Sequence, residues 1–165
     1  MITHIDPFIR LAAVDSIATA YCGTNNPQAV SVLLNLIAED VSTSIQRHAT
    51  IAIGFVMARK PLLGLEILET LITHHNMHIR FGAYLALGIS FASTGSSKAL
   101  NIVRNVSTES VSSVKQAMII AMGMIINSQN KSTCSLYEQI RKLISTYSMT
   151  DSEGFMAKFG GIIGD

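Results

Sequence analysis

Charge is what this sequence has least of. Aspartate, glutamate, lysine and arginine make up 14% of the chain, where a soluble domain normally carries about a quarter. The chain is also 48% hydrophobic, with a mean hydropathy of +0.39. Its 165 residues fit one ordinary domain. Either such a chain crosses a membrane, or much of its surface is covered by further protein. A second shortage excludes the membrane. The longest uncharged apolar runs, at 49–58, 83–92 and 117–126, are each about ten residues, or roughly 15 Å of helix, whereas a span needs about 20 residues. Asp6, Pro7 and Arg10 interrupt the first stretch, so no signal peptide is read there.

Tryptophan is absent, and lysine and arginine are scattered singly except at Arg59-Lys60 and Arg141-Lys142. With a net charge of +1 and no basic face interleaved with aromatics, the chain has no electrostatic footprint for nucleic acid. Cys22 and Cys134 are the only cysteines. They are no disulfide framework, and free thiols fit a reducing cytosol or nucleus. The triplets Asn105-Val-Ser107 and Asn130-Lys-Ser132 match a glycosylation acceptor, which carries no meaning without secretion.

Catalytic motifs are missing too. There is no nucleophile elbow, phosphate loop or H-E-x-x-H pair. Gly160, Gly161 and Gly164 lack the preceding strand and the Lys-Ser/Thr ending that phosphate binding needs. Glu39 and Asp40 are adjacent near an expected turn and read as solvated. Asp15 lies in an apolar helical stretch and is the one carboxylate that burial could make catalytic; pairing or partial exposure is the plainer reading. His74, His75 and His78 form the only histidine cluster. His74 and His78 have the i, i+4 spacing of a helical metal pair, but zinc takes three or four ligands with an oriented second layer. No cysteine is near, and Glu69 belongs to another expected helix, so the cluster reads as a turn between helices. His4 and His48 read as structural or exposed. No enzyme, cofactor or metal is expected.

What is present is a repeat. Arg80-Phe-Gly-Ala-Tyr-Leu-Ala-Leu-Gly88 recurs in degraded form from Arg10, Gln46, Lys115 and Lys158, at intervals of 36, 34, 35 and 43 residues. Periods in this range mark stacked repeat proteins, which bind and position other proteins. The recurring register comprises Arg10 and Ala13; Ala49 and Gly54; Arg80, Gly82, Ala83, Ala86 and Gly88; Lys115, Ala117, Ala121 and Gly123; and Lys158 and Gly160. Each unit divides into two helices. The signature helix is apolar or small nearly all round, so it is expected to be buried all round. Glycine inside a helix costs about 1 kcal/mol relative to alanine. Gly54, Gly82, Gly88 and Gly123 are therefore read as points where neighbouring helices approach too closely for a larger side chain.

The second helix is amphipathic and faces outward. Its apolar positions are Leu65, Leu68, Leu71 and Ile72 in one copy, Ala99, Ile102, Val103 and Val106 in the next, and Leu136, Ile140, Leu143, Ile144 and Tyr147 in the fourth. Asp6-Pro7 and Asn26-Pro27 read as caps followed by a first-turn proline, and Ser135 to Glu138 as a capping box. Turns are expected at 23–26, 59–61 and 93–97, with a longer loop at 127–133. The cation of the signature stands in the first turn or so of its helix, where the macrodipole disfavours it. Its recurrence predicts a polar ladder, each side chain bonding carbonyls or a carboxylate of an adjacent repeat.

The fold expected is therefore all-α, an α-solenoid of about four and a half helix pairs with repeats near 6–38, 39–75, 76–106, 107–149 and an incomplete 150–165. The last unit has no outer helix and neither end has a polar cap, so the chain reads as a piece of a longer array whose open ends promote self-association.

The stretch from Met77 to Asn101, with its small-residue A-x-x-A-L-G core, resembles the proteasome/cyclosome (PC) repeat. It is similar to the central repeats of the larger PC-repeat scaffold of the proteasome regulatory particle. Met156-Ala-Lys-Phe-Gly160 is similar to a later repeat of that same scaffold, and Val114 to Ile126 fits the repeat between. Gln46 in place of the usual cation, Gly161 in place of alanine and Ala18 in place of glycine depart from the pattern. The resemblance implies a non-catalytic scaffold, found in cytoplasm and nucleus, whose repeats form part of a toroid. It implies a platform that joins the ATPase ring to lid subunits, including the deubiquitinase, and to a ubiquitin receptor, the last through regions outside this segment. The alternatives are a paralogous PC-repeat subunit that recruits ubiquitin or shuttle proteins, the cyclosome scaffold, or a helical-repeat metal protein using the His74–His78 turn.

Overall fold

In the computed structural model, the residues described are 1–130 and 132–149. Among them are eight α-helices and no strand: α1 (Pro7–Ala20), α2 (Pro27–Glu39), α3 (Thr43–Val56), α4 (Leu65–Ile72), α5 (Met77–Ser90), α6 (Ser97–Val103), α7 (Ser112–Ile126) and α8 (Tyr137–Met149). Helices with the signature (α1, α3, α5, α7) alternate with shorter or amphipathic ones, the arrangement of an α-solenoid of helical repeats. Two compact units are formed, Met1–Ala86 and Leu87–Asp165. In the first, α3 packs against both α1 and α2; in the second, α7 packs against α6 and α8.

The starts of the first two helices follow from their sequence. Asp6 accepts from the amide of Phe8 at 2.8 Å, and Asn26 from those of Gln28 and Ala29 at 2.9 and 3.2 Å, with proline next in each case. α8 begins at Tyr137, so Ser135 stands one residue outside the cap position expected for it.

The outer helices bury one stripe each. α2 buries Ala29, Val30, Leu33, Leu36 and Ile37, and α4 buries Leu68, Leu71 and Ile72. α4 and α6 are short, and a single 3-10 turn extends each: Pro61–Gly64 precedes α4 and Val106–Thr108 follows α6. The stripe of α6 differs from the expected one. Leu100 is fully buried beside Ala99 and Val103, while Ile102 is half-buried. Leu65, Leu136 and Leu143 are likewise half-buried at the stripe edges.

Burial of the signature helices is graded. α7 buries a broad face, with Val114, Ala117, Ile119, Ala121, Met122 and Ile125 at zero exposure. On α5, Phe81, Leu85 and Ile89 remain half-buried, and α1 exposes Ala12, Asp15, Ser16 and Thr19. Burial all round, expected for every copy, holds for none of them: Ile120, Gly123 and Met124 are half-buried on α7 as well, and α3 exposes Phe55. Asp15 is exposed and has no enclosed environment to act in.

Candidate functional site at the two ends of the signature helices

Gly54, Gly82 and Gly88 lie where helix backbones come close. A methyl group built on Gly54 would stand 2.5 Å from Cα and 2.6 Å from the carbonyl oxygen of Ala86. One on Gly82 would meet the Arg47 carbonyl at 2.8 Å and Thr50 Cβ at 2.9 Å. In the second unit, one on Gly88 would meet Met124 Cε and, at 2.8 Å, Ala121 Cα. Ala49, Ala83, Ala86, Ala117 and Ala121 are essentially unexposed, and Ala13 is 7% exposed. Gly88 lies two residues inside the end of α5 and against Ala121, so packing and not helix termination explains it. Gly123 is half-buried in α7. Lys158 and Gly160 lie outside the described residues.

At the N-terminal ends, the recurring cation folds back onto the connection before its own helix. Arg10 Nη1 donates to the carbonyls of His4 and Ile5 at 2.7 and 2.9 Å. Arg80 Nη1 donates to those of His74 and His75 at 3.0 and 2.9 Å. Gln46 does the same with its amide, donating from Nε2 to the carbonyls of Asp40 and Ile37 at 2.9 and 3.2 Å. Forward links join successive copies. Arg10 donates to the Asp40 carboxylate from Nε at 2.8 Å and Nη2 at 3.2 Å, and Asn76 Nδ2 donates to Gln46 Oε1 at 2.9 Å. Gln46 thus replaces an ionic rung with an amide rung. Lys115 holds the same register in α7 and is half-buried.

A further residue, absent from the signature, completes this end. Six positions before the cation or Gln46 stands an acceptor in each of four copies: His4, Asp40, His74 and Glu109. Each accepts from the amide two residues on, that of Asp6 (3.0 Å), Ser42 (2.8 Å), Asn76 (3.1 Å) and Val111 (3.0 Å). Those amides belong to the residue just before each helix. Aligning the copies six residues upstream would have found the position, since all four side chains can accept.

The C-terminal ends carry a second link, made by backbone alone. The turn after α1 donates from Gly23 and Asn25 to the carbonyls of Phe55 and Val56, the last two residues of α3, at 2.8 and 3.0 Å. The turn after α5 donates from Ser93 and Gly95 to those of Met124 and Ile125 in α7, at 2.9 and 3.0 Å. These are orphan helix-end acceptors that need partners. All four donors have positive φ, from 53° to 68°, which turns successive amides the same way. The turn after α3 has no positive-φ residue.

Titration at this end follows from geometry. Burial opposes the charge on Asp40, but the Arg10 hydrogen bonds, the Ser42 amide and the Arg10 charge outweigh it and hold the carboxyl below its ordinary value. Burial, followed by the charges of His75 and Arg80, lowers His74 below the ordinary imidazole value. The histidine cluster is not wholly a turn, as expected, because His78 lies in the first turn of α5. Its Nδ1 is 2.6 Å from Arg47 Nη2, and the Arg47 guanidinium lies 4.6 Å from the Phe81 ring centre. Among the described residues, no group of three or more His, Cys, Asp or Glu is gathered as a metal site would require, and no helix is long and apolar enough to cross a membrane.

The arrangement can hold helices at fixed spacing; among the described residues it brings no nucleophile and base together. The 26S proteasome non-ATPase regulatory subunit 1 of Dictyostelium discoideum is 39% identical over 163 residues, covering 99% of this chain and 17% of that protein. A homologue of the same subunit in Arabidopsis thaliana (homolog B) is 34% identical over 96% of the chain, and the 26S proteasome regulatory subunit rpn2 of Schizosaccharomyces pombe is 32% identical over 96% of it. The chain spans about a sixth of the length of these curated relatives. The family profile for HEAT repeats matches residues 32–123, more than half of the chain and the span that holds α3 to α6 entire. Stacked helix pairs, small residues in register at the contacts and this match together show that the chain belongs to the HEAT-repeat family.

Proposed function

We propose that this chain is a segment of the larger PC-repeat scaffold of the proteasome regulatory particle, a non-catalytic part that holds ATPase-base and lid subunits in place during ubiquitin-dependent degradation. One observation carries the reading: subunits named for the 26S proteasome align with 96–99% of the chain at 32–39% identity, through helices and turns alike. The geometry supports a mechanical role. Backbone contact at glycines and bonded links at both helix ends resist bending and sliding, while the polar faces of α2 and α4 and the turns remain available to partners. On this reading the helix pairs are PC repeats near 6–38, 39–75, 76–106 and 107–149, with 150–165 opening a fifth, and the protein works in cytoplasm and nucleus.

The test is affinity purification of the full-length protein that contains this segment, followed by mass spectrometry. Recovery of the ATPase ring and the lid, deubiquitinase included, is the expected result. Recovery of cyclosome subunits instead, or of no proteasome subunit, overturns it.

A further inference from the structure

His74 in the α4–α5 connection and His78 in the first turn of α5 accept hydrogen bonds that they can accept only while neutral. The Asn76 amide donates to His74 Nδ1 at 3.1 Å, and Arg47 Nη2 lies 2.6 Å from His78 Nδ1. An amide N–H and a guanidinium have no acceptor to offer, so each Nδ1 must be bare and the proton must sit on Nε2. Both bonds belong to one structural joint. Asn76 also accepts from the His78 amide and donates to Gln46. Arg47 is covered by Phe81, its Nε is buried without a partner, and its carbonyl packs on Gly82.

We propose that residues 74–78 are a proton-sensitive latch between α3 and α5, closed while His74 and His78 are neutral and released when they take up protons. Protonation removes both acceptors at once. It also sets new positive charge beside Arg47 and Arg80, neither of which can give up its own. The titratable and charged groups on the surrounding elements are Arg47 and His48 of α3, Glu66 and Glu69 of α4, His75 in the turn and Arg80 of α5; both glutamates are exposed. His48 differs in kind. Its Nδ1 faces the Ser44 carbonyl at 2.7 Å and is therefore the donor, a bond kept in either charge state. Burial and neighbouring positive charge also lower the His74 pKa. The unfolded chain then binds the proton more readily than the folded one, so stability is complete above the unfolded imidazole value, about 6.5, and falls as pH drops below it. The latch goes beyond the scaffold reading and does not depend on it.

The test is thermal unfolding of the full chain at about pH 7.5 and about pH 5.5, either side of the imidazole range. The wild type is compared with the double variant His74→Asn, His78→Gln, whose side chains can accept the same two bonds without titrating. Acidification is expected to lower the wild-type Tm by roughly 3 °C more than that of the variant, and His48→Gln is expected to follow the wild type. Equal acid sensitivity in the double variant overturns the proposal. Should that variant not fold, amide hydrogen exchange of the wild type decides. Protection at Asn76, corrected for intrinsic rate, should fall on acidification while that at Gly23 and Asn25, bonded to carbonyls, holds. Unchanged protection at Asn76 overturns the proposal.

Discussion

A single methyl group tests the closest contact in the chain. Gly54→Ala adds it 2.5 Å from the Ala86 backbone, where no rotamer change can relieve the overlap. Alanine gains about 1 kcal/mol of helix propensity, and the forced separation outweighs it, for a net loss of about 2 kcal/mol by chemical denaturation. Gly64 faces the Met57 side chain instead, so Gly64→Ala should cost less than Gly54→Ala. Asp40 makes the parallel case for charge. Its folded pKa is depressed, so the stability it contributes is present above the unfolded value, about 3.9, and is lost as pH falls through the lower folded value. Asp40→Asn should lower stability at neutral pH by about 1–2 kcal/mol, since it weakens a charged hydrogen-bonded pair. It should also flatten the acid limb below about pH 4, read from denaturation midpoints across pH. These residues differ in how legible they were. Glycine inside a helix and a cation at a helix start are each unfavourable locally, so their recurrence pointed to tertiary causes. The acceptor six positions upstream was hidden because histidine, aspartate and glutamate share one chemistry there and no single letter runs through all four copies.

Helices were legible where their ends are written in side chains. Asp6 and Asn26 cap as their sequence says, and Asn26→Ala should cost about 1 kcal/mol by loss of the bonds to Gln28 and Ala29. A loss below a few tenths, measured by urea unfolding, would show that Pro27 and packing alone set the start of α2. The links that finish α3 and α7 were not legible, because the donors are backbone amides and any residue has one. Their only trace is the left-handed geometry at Gly23, Asn25, Ser93 and Gly95, and two of those four are not glycine. The short α6 was overestimated for a related reason. Hydrophobic spacing continues to Val106 in the 3-10 turn that follows, which is still buried, and so does not mark where α geometry stops.

For the whole molecule, the period of the signature sufficed for the fold class, since the same small-residue pattern at similar intervals can bury itself only by stacking. It did not show which sides stay open. Ile5 and Val41, 95% and 96% exposed, lie at equivalent positions before α1 and α3, and Phe8, Leu62 and Leu63 are also largely exposed. Apolar surface of this extent favours association. Light scattering of the isolated chain should show apparent mass rising with concentration, and Phe8→Ser with Ile5→Ser should reduce the rise. A mass independent of concentration in the unmodified chain would count against it.

The amides of Gly23 and Asn25 reach forward along the chain to carbonyls at 55 and 56, and those of Ser93 and Gly95 to 124 and 125. On a ribosome, which extends the chain from its N-terminus, each donor pair is therefore made before the helix it will finish. When the last turn of α3 or α7 emerges, its seat already exists. At these two steps growth has a built-in direction: the layer that ends in α3 or α7 is received by an older one, and made out of order it would find no one waiting at its far end.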